Sequence, residues 1–191
     1  LLLNTVNVSV WPTLLQLVTC SLCGYGLARF NFKGKGLMFA LVLVTFIVPP
    51  QTISVTTFTT FRYFDPFYIC SGLNFVGVLP ENYIDITDTL WSFLLPALFA
   101  NGLKSGLFIF VYRQFFRGVP KELEEAAYID GCGSVKTFVK IIVPNAIPAF
   151  VTVLLLSLVW YYNDYYTIPL FLPKTEVLST ALSDMFTNMT T

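Results

Sequence analysis

Residues 1–28 read LLLNTVNVSVWPTLLQLVTCSLCGYGLA, without one charged side chain. Coiled as an α-helix at about 1.5 Å per residue, such a run is about 42 Å long, more than the roughly 30 Å of a bilayer's hydrocarbon. Apolar residues fall all round the helical wheel, the pattern of a helix bathed in lipid or in other helices. A cleaved signal peptide fits less well. No basic segment precedes the run, Arg29 follows it directly, and no small-residue cleavage site closes it.

The same pattern recurs along the chain. Residues 37–61 and 141–163 carry no charge, and 89–112 carry only Lys104. This predicts an all-α, polytopic membrane helix bundle with four spans, near 7–28, 37–60, 89–112 and 146–165. Composition agrees: 55% of the 191 residues are hydrophobic and 12% charged, half the roughly 25% of a soluble domain. Eleven basic and eleven acidic residues cancel, so nothing draws nucleic acid. Histidine is absent, which excludes His-based acid–base chemistry, Ser–His or Cys–His pairs and His-ligated metal.

Loop charges set the orientation. Arg29, Lys33 and Lys35 lie between the first two spans, and Arg113, Arg117, Lys121, Lys136 and Lys140 between the last two. The other side has only Arg62 and Lys174, among Asp65, Glu81, Asp85, Asp88, Asp164 and Glu176. This bias puts loops 29–36 and 113–145 in the cytoplasm and both chain ends outside. Trp11, Trp91 and Trp160 fall near the outward ends of spans, as in an interfacial aromatic belt. The tail at 173–191 is helix-compatible but no fifth span.

The loop at 117–144 reads RGVPKELEEAAYIDGCGSVKTFVKIIVP. Pro120 suits a first helical turn, and Glu122, Glu124 and Glu125 complement the positive end of the helix dipole. Ala126 and Ala127 are strong helix formers that let another surface come close. Gly131 supplies the positive φ that ends a helix. Ser134 is placed to cap the next one, in which Val135, Phe138, Val139 and Ile142 make one apolar face. Pro144 then opens the last span.

Glu125, Ala126 and Ala127, then Gly131, Ile141 and Pro144, stand at the spacing of the EAA loop, and the chain resembles bacterial ABC importer permeases at this point. Val143 stands where the family pattern has Leu. Arg113, Gln114, Phe115 and Phe116 ahead of the loop are similar to the carbohydrate-uptake branch, relatives of the smaller maltose permease subunit. So are the stretches at 25–30 and 160–164. The resemblance implies one partial type-1 ABC transmembrane domain over 1–191, lacking the first and last of six spans. It implies partners too: a second permease subunit in a heterodimer, two cytoplasmic ATPases and an extracellular or periplasmic solute-binding protein. It implies the bacterial cytoplasmic membrane, with coupling to the ATPase through Glu125, Ala126, Ala127, Asp130, Gly131 and Pro144. No cofactor is expected in this chain, which has no Walker-type loop; ATP with Mg would sit in the ATPase.

Lys104 lies about 12 Å of helix from Tyr112, too deep to snorkel out easily, and such charges face a bundle interior, a watery path or a partner's acid. Gly102 and Gly106 around it permit close packing. Trp160, Asn163 and Asp164 are further candidates for the translocation path. Cys20 and Cys23 lie inside a span with no second pair, a poor metal or redox motif. The EAA spacing also fits importers of amino acids, peptides or ions. An intramembrane enzyme would need converging groups, and Ser105 and Lys104, as neighbours on a helix, diverge.

Overall fold

The computed structural model describes residues 1–64 and 84–190. The outer-loop residues Asp65, Pro66, Cys70, Pro80 and Glu81 lie outside the described residues. Among those described the chain is helical, with one isolated antiparallel bridge between Phe64 and Ile84.

Helix α1, Leu2–Arg29, is long and apolar enough to cross a membrane, and packs along α4 (Trp91–Leu98), α5 (Ser105–Gly118) and α8 (Ile147–Tyr162). Its two faces differ. Leu2, Leu3, Val6, Trp11, Leu14, Val18 and Leu22 are exposed, whereas Thr5, Ser9, Thr13, Gln16, Cys20, Ser21 and Gly24 are buried. Small and polar residues therefore face the bundle and large apolar ones face outward. This is the arrangement expected where lipid is as apolar as leucine and close backbone contact drives association. At Gly24 an added Cβ would lie 2.6 Å from Tyr112 Cβ, so the two helices touch there as only glycine allows. Phe108, Tyr112, Phe116, Phe138, Ile142 and Val153 fill one core beside the lower half of α1. Phe61, Phe93, Tyr161, Ile168 and Phe171 fill a second beside Val8, near its start.

The expected second span is not one helix. It is α2, Lys35–Ile47, and α3, Pro50–Arg62, bent by 99°. The cause lies in the sequence at Val48, Pro49 and Pro50. A residue before proline is pushed out of the helical region; Val48 and Pro49 are both extended, with ψ of 124° and 134°. Pro50 then opens α3 at a position where its missing N–H costs nothing.

The expected third span is also interrupted. Helix α4 ends at Leu98 and α5 starts at Ser105. The stop is a Schellman motif: the Asn101 N–H bonds the Pro96 carbonyl at 2.8 Å and the Ala100 N–H that of Ala97 at 3.2 Å. Ala100 takes the left-handed conformation there (φ 53°), and Lys104 does so at the entry to α5 (φ 58°). Such angles cost a non-glycine residue roughly 1–2 kcal/mol. Gly106 lets α5 approach α2, since a Cβ would lie 2.7 Å from the Val42 carbonyl oxygen.

The loop at 117–144 folds as α6, Glu122–Ile129, and α7, Ser134–Asn145. Gly131 has φ 77°; the Cys132 N–H reaches the Ala127 carbonyl at 2.9 Å and the Gly131 N–H that of Tyr128 at 3.0 Å, a second Schellman motif. Pro120 lies just ahead of α6 rather than in its first turn, and Gly133, not Ser134, is the N-cap of α7. The predicted apolar stripe of α7 is split. Phe138 and Ile142 are buried, but Val135 and Val139 are exposed and Thr137 is buried instead. Residues Phe138–Ile142 form a wider π turn that rotates the register, placed just before Pro144, which has no N–H for the carbonyl four residues back. Pro144 falls in the last turn of α7, and the chain bends by 78° into α8. Helices α9, Thr167–Phe171, and α10, Leu178–Thr190, follow.

Candidate functional site

Two features concentrate the chemistry. The first is the surface of α6. Glu124 and Ala127 are buried, while Glu125, Ala126, Asp130 and Gly131 are exposed and Ile129 is 87% exposed. Three residues apart, Glu124 and Ala127 share one helical face, so α6 rests on the bundle by that side and presents Glu125, Ala126 and Ile129 on the other. The alanine pair is divided: Ala126 faces out and Ala127 in. Arg29 fixes the contact. Its Nε stands 2.7 Å from Glu124 Oε1 and its Nη2 donates to the Val119 carbonyl at 2.6 Å. The end of α1 and the start of α6 are thus tied by an ion pair and a hydrogen bond.

The second feature is a cavity of about 500 Å³ between the bent α2–α3 pair and the α4–α5 break, and Lys104 is the one charged residue lining it among those described. Ser54, Thr57, Thr60 and Asn101 add hydroxyl and amide groups, and Phe61, Phe93 and Tyr161 add rings. The interrupted backbone is satisfied from α1 and α8. Gln16 Nε2 donates to the Leu103 carbonyl at 2.7 Å and to Ser105 Oγ at 2.8 Å. Ser157 Oγ bonds Thr13 Oγ1 at 3.1 Å and Gln16 Oε1 at 3.4 Å. The Leu103 N–H donates to Tyr161 Oη at 3.2 Å, and Thr19 Oγ1 to the Ala97 carbonyl at 2.7 Å. Irregular backbone at membrane depth is tolerated only where protein or water meets its polar groups. Gln16, with no exposed surface, is the centre of that provision.

Lys104 thus lines the cavity, from a break rather than from within a helix. Trp160, Asn163 and Asp164 do not line it. Trp160 packs on Phe108 with ring centroids 5.6 Å apart, Asn163 Nδ2 donates to its own helix at the Val159 carbonyl, 2.9 Å, and Asp164 Oδ1 accepts the Tyr166 and Thr167 N–H groups at 3.1 and 2.8 Å. Pro144 lies apart from α6, at the bend into α8. Sequence reading missed Gln16, Thr13, Thr19, Ser157 and Tyr161. The signal was present: Thr5, Ser9, Thr13, Gln16 and Cys20 recur every three or four residues, a polar stripe on an otherwise apolar helix.

Residues 21–190 match the family of binding-protein-dependent transport system inner membrane components. The chain is similar to the arabinooligosaccharides transport system permease protein AraQ of Bacillus subtilis, 27% identical over 85% of this chain and 49% of that protein. It is similar to the melibiose/raffinose/stachyose import permease protein MelC of Bacillus subtilis, 31% identical over 96% and 59%. Another relative is the probable starch degradation products transport system permease protein AmyC of Thermoanaerobacterium thermosulfurigenes, 28% identical over 85% and 50%. The chain spans about half the length of the curated relatives it matches. In fold it superposes on a bacterial ABC transporter involved in the import of the acidic polysaccharide alginate, with TM-score 0.61 and 18% identity over 97% of this chain and 62% of that one. On the match of its residues 21–190, the chain belongs to the binding-protein-dependent transport system inner membrane component family.

Proposed function

We propose that the chain is part of a permease subunit of an ATP-driven importer for carbohydrate, seated in a bacterial cytoplasmic membrane with the α6 end inward. Residues 1–191 form part of one type-1 transmembrane domain. A second permease subunit completes the path, a solute-binding protein delivers the sugar, and ATPases bind ATP with Mg and dock on the exposed face of α6. On this reading ATP hydrolysis belongs to the ATPases and not to this chain. Glu125, Ala126, Asp130 and Gly131 make the coupling contact, and Lys104 stands on the path.

The observation that carries this reading is the exposed face of α6 on a helix clamped to α1 through Arg29 and Glu124. An exposed face carrying Glu125, Ala126 and Ile129 on a helix tied to the end of α1 suits transmission of force. Sugar-importing relatives and the family match support the cargo class. The test is sugar uptake by full-length protein with Glu125→Lys or Gly131→Leu, assembled with its partners. Uptake is expected to vanish while membrane insertion stays normal. Undiminished uptake in both variants would remove α6 from the mechanism.

A further inference from the structure

The end of the bundle beside α6 gathers cations from several stretches of chain. Arg29 closes α1, Lys35 opens α2, Arg113 and Arg117 lie in the last turns of α5, and Lys121 precedes α6; all five line a cavity of about 450 Å³. One carboxylate answers them among the described residues: Glu124, which pairs with Arg29. Five cations less one carboxylate leaves four positive charges around one small space.

Three of the five also meet backbone. Arg29 Nη2 donates to the Val119 carbonyl at 2.6 Å, Lys35 Nζ to that of Ala28 at 3.2 Å, and Arg113 Nε to that of Leu27 at 3.4 Å. These bonds use donors and suit the negative end of α1, but a carbonyl does not neutralise a charge. The Arg113 guanidinium also lies 3.7 Å from the centre of the Phe39 ring. The side chains of Arg117 and Lys121 have neither ion pair nor hydrogen bond among the described residues. Both lie within electrostatic reach of Lys35. Arg117 and Lys121 are exposed, so water and salt screen their mutual repulsion, and an anion seated among the five cations is attracted by all of them. Close in sequence to the lining residues Asn31 and Lys35, the apolar Phe30, Phe32, Leu37 and Met38 are all exposed. A cationic hollow between membrane helices, with exposed apolar side chains close to it in sequence, suits a lipid headgroup with its acyl chains alongside.

We propose that this cavity binds the phosphate of an anionic phospholipid headgroup. Phosphate is the recognised chemistry, and the exposed apolar side chains next to Asn31 and Lys35 in sequence point to a lipid rather than a soluble ion as its source. The test is native mass spectrometry of the assembled permease complex, titrated separately with phosphatidylglycerol and phosphatidylcholine, with inorganic phosphate as competitor. This reading of binding does not depend on sidedness or on transport, so it can fail or succeed apart from the proposed function. The wild type should hold phosphatidylglycerol in preference to phosphatidylcholine. Arg117→Gln with Lys121→Gln should weaken phosphatidylglycerol by about 30-fold, from about 1 kcal/mol per cation, with phosphatidylcholine unchanged. The exchange Arg117→Lys with Lys121→Arg, which keeps both charges, should retain the affinity. Equal retention of both lipids, or a double-Gln variant as tight as wild type, would overturn the site. Displacement of the lipid by millimolar inorganic phosphate would overturn the lipid source.

Discussion

Arg29 Nε and Glu124 Oε1 stand 2.7 Å apart with side chains only 7% and 11% exposed, joining residues 95 positions apart at the foot of the bundle. A pair this buried has lost its water, so removing one member strands the other. Glu124→Met or Arg29→Met alone should cost about 3 kcal/mol. The double replacement, which leaves no orphaned charge, should cost less than either single change. Thermal unfolding of the purified complex through the full double-mutant cycle measures this; additive losses would contradict it.

A second tie, at the other end of α1, depends on pH. Lys174 Nζ lies 2.9 Å from Asp88 Oδ2, and the Lys174 N–H reaches Asp88 Oδ1 at 3.3 Å. The hydrogen bond from the Lys174 ammonium holds the Asp88 carboxyl below its ordinary value and raises Lys174 above its own. A depressed carboxyl contributes stability that is present above its unfolded pKa and lost as pH falls through the folded one. A raised lysine contributes stability that is present below its unfolded pKa and lost as pH rises through the folded one. The tie therefore holds through neutrality and fails below the usual carboxylate range or above the usual lysine range. Hydrogen exchange over 172–177, corrected for intrinsic rates, should show protection falling with acid in the wild type and no such step in Asp88→Asn. Asparagine keeps the left-handed backbone at 88 (φ 58°).

Gln16 holds the α4–α5 break through Leu103 and Ser105. Gln16→Leu keeps the volume but leaves a buried carbonyl and two hydroxyls short of partners. The expected loss is about 1–2 kcal/mol in thermal unfolding of the complex, with sugar uptake reduced as the cavity wall at 101–105 loosens. A variant as stable and active as wild type would remove Gln16 from that role.

How much of this was legible in the sequence depends on scale. The charge-free run before Arg29 announced α1, and Gly131 announced its left-handed turn, because each rests on local chemistry. The bend between α2 and α3 also has a local signal, Pro49 and Pro50, which a reading by charge-free length at 37–61 passes over. The break at 99–104 was not legible. No proline lies within it; Ala100 takes φ 53° in a Schellman motif closed by Asn101 and Pro96, and the backbone freed beyond it, at Leu103, is met by Gln16 and Tyr161, both distant in sequence. The register shift at Phe138–Ile142 likewise follows from Pro144 acting within a packed turn. For the candidate site, the spacing singles out Glu125, Ala126 and Gly131, which are exposed, but also Ala127, which is buried, and Pro144, which lies apart from α6, whereas Glu124 stands out only through Arg29 beside it. Asn163 and Asp164 stand out in the sequence as polar residues near a span's end; local backbone bonds account for Asn163 and for Asp164 Oδ1, whereas Asp164 Oδ2 is buried without a hydrogen-bond partner among the described residues.

In the proposed function the exposed face of α6 lies in the cytoplasm against an ATPase. The most direct measurement of that placement uses Ala126→Cys in a background without other cysteines, in cells expressing the whole transporter. The account predicts that a membrane-impermeant thiol reagent leaves this cysteine unlabelled in intact cells, and that a short bifunctional cross-linker joins it to the ATPase in inverted vesicles. Labelling from outside, or vesicles in which no ATPase is captured while transport is intact, would contradict it.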